Sequence, residues 1–153
     1  MDLSQCVEAY TDMIVRTAFT YVQNRADAQD IAQEVFLALL LNKKPFESDE
    51  HQKAWLLRVA INKSKNHLRS HWFRKKVPLT EELSELSSEQ SEILEAFMQL
   101  PEKYRTPLHL HAYVGYSIKE IAGLLGKKES TIGTRLSRAK ERLGALLGEE
   151  YVP

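Results

Sequence analysis

Near the C-terminus of the chain, a stripe of hydrogen-bond donors recurs at the spacing of one helix face. Its members are Thr131, Arg135, Arg138 and Arg142. Arginine donates to phosphate oxygens and to guanine edges, and hydroxyl groups bond to either. One residue round the same predicted helix, apolar positions recur at steps of four and three: Ile132, Leu136, Ala139, Leu143 and Leu146. The pattern predicts a helix with one buried side and one basic side.

The residues before this helix predict a shorter helix and a tight turn. Ser117 followed by Glu120 is a capping box, so a helix should begin at Ile118. Gly126 should end it, because glycine adopts the left-handed conformation without a steric penalty. Two such helices, the second one basic, are typical of a helix-turn-helix that places its second helix in the DNA major groove. The alternative interpretation is a helical hairpin with a solvated basic face.

A second donor-rich stripe lies in the middle of the chain, on a predicted helix whose buried side carries Leu57, Ile61, Ser64, Leu68 and Trp72. The stripe consists of Arg58, Asn62, Lys65 and Arg69, and it continues with Arg74, Lys75 and Lys76. Each member can donate hydrogen bonds to phosphates or base edges. Phe46 lies in the preceding loop, where it could fold back onto its own domain or stack on an unpaired base.

An earlier predicted helix carries acidic side chains at Asp27, Asp30 and Glu34. Composition alone favours a structural interpretation, because the helix dipole stabilises negative charge near a helix N-terminus. The core side of this helix is expected to contain Ile31, Ala32, Val35, Leu39 and Leu40.

No metal site is expected. His67 and His71 are four residues apart, but their helix carries no carboxylate or thiolate to complete a ligand shell. His109 and His111 are two apart on a helix and point in different directions. Cys6 is the only cysteine, which excludes an intrachain disulfide and a cysteine-rich metal site.

Helices must position all these side chains, and the whole chain is predicted to be α-helical. The first helix should cover residues 3–23, capped by Asp2 and Gln5. The second should begin at an Asp27 N-cap and reach residue 41, and the third should run from a cap at Ser48 or Asp49 to about residue 73. Beyond a linker at residues 77–90, a helix is expected from residue 91. Another should cover residues 101–113, where Pro107 should bend it or remove a hydrogen bond.

The charge of the chain is balanced, with 21 basic and 21 acidic residues, but its distribution is uneven. Residues 51–76 hold eight Lys or Arg and no acid, and residues 77–102 hold seven Glu and no base. Residues 126–142 hold six bases and two acids. We therefore expect two small helical domains with separate cationic surfaces, joined by an acidic linker. With no apolar run that could span a bilayer and no signal peptide, the expected location is the cytoplasm.

Taken together, these segments resemble the extracytoplasmic-function (ECF) group of sigma factors, the promoter-recognition subunits of bacterial RNA polymerase. DAQDIAQEVF at residues 27–36 is similar to the polymerase-binding segment of that family. AWLLRVAIN at 54–62 and NHLR at 66–69 are similar to its segment for the −10 element. LPEKYR at 100–105, EIA at 120–122 and TIGTRLSRA at 131–139 are similar to its domain for the −35 element.

The resemblance implies a role for each surface, within domains at residues 1–76 and 91–148. Contacts with the core polymerase are expected from Asp27, Asp30, Gln33, Glu34 and Phe36. Contacts with the −10 element are expected from Phe46, Arg58, Asn62, Lys65 and Arg69, with Phe46 and Asn62 holding a flipped base. Contacts with the −35 element are expected from Ser130, Thr131, Thr134, Arg135, Arg138 and Arg142, with Arg138 as the main base reader.

The resemblance also implies no catalytic residue and no cofactor, and a possible anti-sigma partner. Gly133, Ser130 and Lys127 depart from residues common in the family, and Gly133 should remove one contact and weaken its helix. Two other classes of protein remain as alternatives from the residues alone. One is a dimeric helix-turn-helix regulator that acts without polymerase. The other is a metal-dependent nucleic-acid enzyme, which the lack of a convergent Asp, Glu and His cluster disfavours.

Overall fold

The computed structural model describes residues 1–70 and 87–148, and these residues are α-helical with no strand. The chain divides into two compact units, Met1–Val77 and Pro78–Pro153. In the first unit the helices are α1 (Leu3–Val22), α2 (Arg25–Leu41) and α3 (Asp49–Ser70). In the second they are α4 (Ser88–Gln99), α5 (Glu102–His109), a π-helical turn (Leu110–Val114), α6 (Ile118–Leu125) and α7 (Glu129–Leu147). The predicted all-α class with two helical units is confirmed.

The three helices of the first unit pack against one another around a shared apolar core. The fully buried side chains of this core include Ile14, Ile31, Val35, Leu56 and Leu57. Burying a side chain of this size stabilises the unit by about 1.5–3 kcal/mol. The predicted buried side of α3 is confirmed at Leu57, Ile61 and Ser64, and the Ser64 hydroxyl is satisfied by the carbonyl of Ala60 at 2.7 Å.

Helix ends in this unit follow local capping chemistry, with one correction. Asp2 and Gln5 form the predicted capping box at the start of α1. The N-cap of α2 is Asn24, whose side chain accepts from the backbone N–H of Asp27 at 3.0 Å, so the prediction of Asp27 as the cap was wrong. Asn and Asp are equally good caps. The choice between them depends on where else the carboxylate of Asp27 can bond.

The second unit is built around α7, which packs on α4, α5 and α6. The predicted capping box of Ser117 and Glu120 starts α6, and Gly126 ends it with a φ of 67°, as expected. Ile132, Leu136, Ala139 and Leu143 of α7 are buried. The pair α6 and α7 is therefore the predicted helix-turn-helix.

The helix containing Pro107 continues through the proline as far as His109 and then widens into the π-helical turn. Proline has no N–H, so the carbonyl four residues earlier, at Lys103, receives no helical hydrogen bond from it. Gly115 closes the turn in the left-handed conformation. The prediction of one helix through Tyr113 thus holds only as two joined helical segments.

Leu40 and Leu146 were predicted to be buried, but 62% and 47% of their surfaces are exposed. Leu40 is rotated by about 100° around α2 from the buried Leu39. Helix α4 begins at Ser88, inside the predicted linker. Expectations for His71, Trp72, residues 74–76 and most of the linker lie outside the described residues. Among the described helices, none is long and apolar enough to cross a membrane.

Candidate nucleic-acid interface

The donor stripe of α3 is exposed along its whole length. Arg58, Asn62, Lys65 and Arg69 all point away from the core of the first unit. The buried residues on the other side of α3 fix this orientation, since Leu57 and Ile61 can face only inwards. The helix therefore presents four donors at steps of four, three and four, over roughly 16 Å of its axis.

Phe46 is half-buried and folds back onto the start of α3. Its ring meets His51 and Trp55 edge-on, with centroid distances of 5.4 and 5.5 Å. The loop around it is held by a hydrogen bond from the Glu47 N–H to the His51 ring at 3.1 Å. Phe46 also lines an open groove of about 390 Å³ together with Pro45 and Leu39. Because Phe46 is only half-buried, the exposed part of its ring is available for stacking.

The acidic residues of α2 separate into one buried and two exposed positions. The Asp27 carboxylate is buried and lies 3.0 Å from Nε2 of His67 on α3. Asp30 and Glu34 are exposed, as is Gln33, while Phe36 is half-buried. Asp27 therefore joins two helices of the first unit, and the exposed acids are the ones that a partner can reach.

Sequence reasoning missed a set of leucines on the same exposed side of α2. Leu37, Leu40 and Leu41 are 55%, 62% and 68% exposed. Leu37 and Leu41 follow Asp30 and Glu34 at helical spacing, so they extend one continuous surface. A signal was present in the run FLALLL, which is apolar on more sides than a helix of this unit can bury. Clustered exposed leucines indicate an interaction surface.

The basic side of α7 is accessible at every predicted position. Ser130, Thr134, Arg138 and Arg142 are exposed, and Thr131 and Arg135 are half-buried. The Thr134 hydroxyl donates to the Ser130 carbonyl at 3.0 Å. The first two turns of the helix thus carry small hydroxyl side chains and one arginine, which suits close approach to base edges.

Arg142 lies against Tyr104 on α5, and Arg138 precedes Arg142 by one turn of α7. The guanidinium carbon of Arg142 lies 4.8 Å from the centroid of the Tyr104 ring, and the ammonium of Lys103 lies 5.0 Å from it. The positive charge of Arg138 also acts on the Tyr104 phenol. Burial opposes ionisation of the phenol, but its interaction with Arg138 and the charges of Lys103 and Arg142 outweigh burial and lower the pKa of Tyr104. Nothing in the spacing of the sequence pointed to this contact.

Arg105 is buried at the junction of α4 and α5. Its Nη1 donates to the carbonyl oxygens of Leu100 at 2.8 Å and Met98 at 3.3 Å. Carbonyls at a helix C-terminus lack intrahelical partners, and a guanidinium can satisfy two of them. Arg105 is therefore a structural residue of the second unit. Across residues 1–70 and 87–148, no three His, Cys, Asp or Glu side chains converge as a metal site would require.

Comparisons with known protein families match both units. The family description "Sigma-70 region 2" matches residues 6–74, and "Sigma-70, region 4" matches residues 90–143. The first match contains the stripe of α3 and the exposed side of α2. The second contains Tyr104 and the helix-turn-helix.

Whole-chain comparisons agree with the family matches. RNA polymerase sigma factor SigV of Bacillus subtilis is 29% identical over 156 residues, covering 97% of this chain and 92% of its own. The ECF RNA polymerase sigma factor SigW of the same organism is 27% identical, covering 90% of this chain and 84% of its own. The solved sigma factor RpoE of Bartonella quintana superposes with a TM-score of 0.78 at 20% identity, covering 97% and 98% of the two chains. The chain belongs to the sigma-70 family, in its extracytoplasmic-function group of RNA polymerase sigma factors.

Proposed function

We propose that this sigma factor divides promoter recognition between its two units, with α2 and α3 serving the polymerase and the −10 element and α7 serving the −35 element. One observation carries the proposal: each unit exposes its own donor-rich helix face, one on α3 and one on α7. The proposed domains are residues 1–76 and 91–148, joined by the acidic segment 77–90, whose last residues from Ser88 onwards belong to α4.

Core polymerase is proposed to dock on the exposed side of α2. Asp30, Gln33 and Glu34 would meet a basic surface of the polymerase, and the exposed leucines from Leu37 to Leu41 would supply apolar contact area. The bond between Asp27 and His67 attaches α2, which carries this surface, to α3. Phe36, being half-buried, contributes at the edge of the contact.

Unpaired bases of the −10 element are proposed to lie against α3 and the preceding loop. Extruding a base from the stack costs a few kcal/mol, so several contacts must act together. Arg58, Lys65 and Arg69 would hold phosphates, while Asn62 and Phe46 would hold a base by hydrogen bonding and stacking. The side chain of Phe46 is already oriented by His51 and Trp55 before DNA arrives.

The −35 duplex is proposed to receive α7 in its major groove. Ser130, Thr131, Thr134 and Arg135 occupy the first two turns, where a recognition helix touches base edges. Arg138 and Arg142 complete the contact surface from the third turn onwards. The chain itself performs no bond chemistry in this scheme. Phosphodiester formation would belong to the polymerase. Because that reaction takes place on the chromosome, we propose the cytoplasm as the location of this protein.

The decisive experiment is reconstitution with bacterial core polymerase. The full chain should be retained by immobilised core enzyme at low salt, and it should direct RNA starts to defined positions on bacterial DNA. Asp30→Arg should abolish retention, because it reverses a charge on the docking surface, whereas Glu8→Arg, on the exposed side of α1, should leave retention unchanged. A chain that self-associates and binds duplex DNA, but never binds core enzyme, would instead be the dimeric regulator.

A second readout separates docking from DNA opening. Asn62→Ala should be retained by core polymerase normally, but permanganate reactivity of unpaired thymines at the −10 region should fall. Normal reactivity in this variant would remove Asn62 from the proposed base-holding site.

We further propose that a sequestering protein regulates this chain. The solved RpoE structure, which shares its fold, is a complex with the anti-sigma factor NepR. A partner of this kind should compete with core polymerase for the exposed side of α2. Competition that is insensitive to Asp30→Arg and to changes at Leu37 would argue against that surface.

A further inference from the structure

Two cations of the second unit lie over one aromatic ring, and a third, Arg138, acts electrostatically on its phenol. Lys103 and Tyr104 belong to α5, and Arg138 and Arg142 belong to α7. The charges of Arg142 and Lys103 lie 4.8 and 5.0 Å from the ring centroid. Both distances are within the range of a cation–π contact, about 6 Å. We call these four residues the Tyr104 cluster.

The cations of the Tyr104 cluster have no anionic partner in the described residues. None of them lies within 4.0 Å of a described carboxylate oxygen. Glu102 and Glu141 are their neighbours in sequence, yet neither forms an ion pair with them. Three positive charges held around one ring repel one another, and the ring quadrupole offsets only part of that repulsion. An anion placed between them would relieve the rest.

The position of the cluster along α7 indicates which anion that is. Thr131 to Arg142 spans eleven residues, which is roughly 16 Å of helix axis. The major groove is about 12 Å wide, and a recognition helix reads bases with its N-terminal residues. With Thr131 and Arg135 at the base edges, Arg142 and the neighbouring Lys103 therefore reach the sugar–phosphate wall of the groove.

We infer that the Tyr104 cluster is a clamp for a DNA backbone phosphate beside the −35 element. Tyr104 is a positioning residue that orders Arg138 and Arg142, and Lys103 brings a third charge from a different helix. The inference rests on the proposed function of the second unit. It reassigns Arg138 from the base reading expected from sequence to backbone anchoring, and it leaves base reading to the first two turns of α7.

The test compares salt dependence with base preference, using holoenzyme formed from the full chain and core polymerase. The probe is a fluorescent duplex pool that is randomised at the −35 positions. Each neutralising variant, Lys103→Gln, Arg138→Gln or Arg142→Gln, should lower the slope of log affinity against log salt by about 0.9 for a lost phosphate contact. Binding should weaken about two- to fivefold. Sequences recovered from the pool should not change.

Two matched variants provide controls on neighbouring positions. Lys140→Gln removes an exposed lysine of the same helix outside the Tyr104 cluster, and it should preserve the salt slope. Arg135→Gln should change the recovered sequences. Tyr104→Phe keeps the ring under Arg142 but removes the phenol hydroxyl on which the charge of Arg138 acts. It should therefore weaken binding less than Tyr104→Leu does, with all variants checked for folding by circular dichroism.

Several outcomes would overturn the clamp. If Arg138→Gln alters the recovered sequences while the salt slope stays constant, Arg138 reads a base. If Lys103→Gln and Arg142→Gln leave the salt slope unchanged but weaken holoenzyme assembly, the cluster binds an acidic surface of the polymerase. If the unmodified holoenzyme shows no preference at the −35 positions, the proposed function of the second unit fails, which is a separate result.

Discussion

At the scale of single residues, the bond between Asp27 and His67 joins side chains that lie forty positions apart in sequence. Asp27 is within an acidic segment that the family resemblance associates with the polymerase, yet its carboxylate is buried. A buried carboxylate without its partner would lose its compensation for desolvation. The contribution of Asp27 to polymerase binding is therefore expected to be indirect.

Replacing Asp27 tests that interpretation. Asp27→Ala should lower the free energy of unfolding of the first unit by about 1–3 kcal/mol, because it leaves the imidazole of His67 without this partner. Urea denaturation followed by circular dichroism measures the change. Asp30→Ala, at an exposed position of the same helix, should change it by less than about 0.5 kcal/mol. An Asp27→Ala chain of unchanged stability that no longer binds polymerase would show direct contact instead.

The phenol of Tyr104 offers a second test at the residue scale. Its pKa is lowered from 10.0 because the interactions with Arg138, Lys103 and Arg142 outweigh the effect of burial. Since the pKa of the folded state lies below that of the unfolded state, ionisation adds stability as the pH rises through the folded value, and this contribution is lost as the pH falls. Arg138→Gln should raise the pKa towards 10.0, as measured by NMR titration of ¹³C-labelled tyrosine.

Assignment of that titration requires Tyr104→Phe, in which the low-pKa signal should disappear. If the signal persists in Tyr104→Phe, or if Arg138→Gln leaves its midpoint unchanged, the contact between Arg138 and Tyr104 is absent in solution.

At the scale of elements, Gly133 is a weak point in the second turn of α7. A methyl group added there would meet only the Cδ1 of Ile118, at 4.0 Å, which is ordinary van der Waals contact. Gly133→Ala should therefore raise the free energy of unfolding of the second unit by about 1 kcal/mol. Thermal and urea unfolding measure this change.

Gly126 is the matched control, because its φ of 67° is in the left-handed region. Gly126→Ala should destabilise the unit by about 1–2 kcal/mol, although the site has open space. The two substitutions add the same methyl group with opposite expected signs. Equal effects would mean that side-chain packing, and not backbone conformation, governs both positions.

The exposed leucines of α2 give another prediction for an element. Leu37→Ser should preserve stability, because the side chain is 55% exposed, but it should weaken polymerase binding by about 1–2 kcal/mol. Val7→Ser on α1, where the side chain is 41% exposed, should change neither quantity. Equilibrium binding to labelled core enzyme separates the two variants. Equal losses would mean that surface apolarity in general, and not this surface, drives association.

The elements also show where sequence-based prediction succeeded and where it failed. The capping boxes at Asp2 and Ser117 and the turn at Gly126 were predicted correctly, because their signals lie within four residues of the helix ends they define. The N-cap of α2 was missed because the alternative bond of Asp27 is to a residue forty positions away. Local patterns cannot resolve a competition between near and distant partners.

The candidate site shows the same division. Exposure of the α3 and α7 stripes could be predicted because apolar periodicity fixes which side of a helix is buried. The exposure of Leu146 and the contact of Arg142 with Tyr104 could not be predicted in this way. The apolar periodicity of one helix does not specify how far a neighbouring helix covers it, or which side chains that neighbour presents. Those features depend on packing between elements.

At the scale of the whole molecule, a net charge of zero conceals opposed local charges. Residues 77–90 contain four glutamates, which we expect to weaken the attraction of the cationic surfaces for any DNA. Changing Glu81, Glu82, Glu85 and Glu89 to Gln should therefore raise the affinity of the chain for random duplex DNA and steepen its dependence on salt. Fluorescence anisotropy of a labelled duplex measures both. An unchanged affinity would show that the linker charges do not act on DNA.

The bond between Asp27 and His67 has a final consequence for assembly. It fastens α2, which carries the proposed docking surface, to α3, which carries the proposed surface for melted bases. The spacing between those surfaces is thus set when the unit folds, and no conformational entropy is lost in setting it during assembly. The first unit would then fix the distance between its attachment to the polymerase and the point at which the two DNA strands separate.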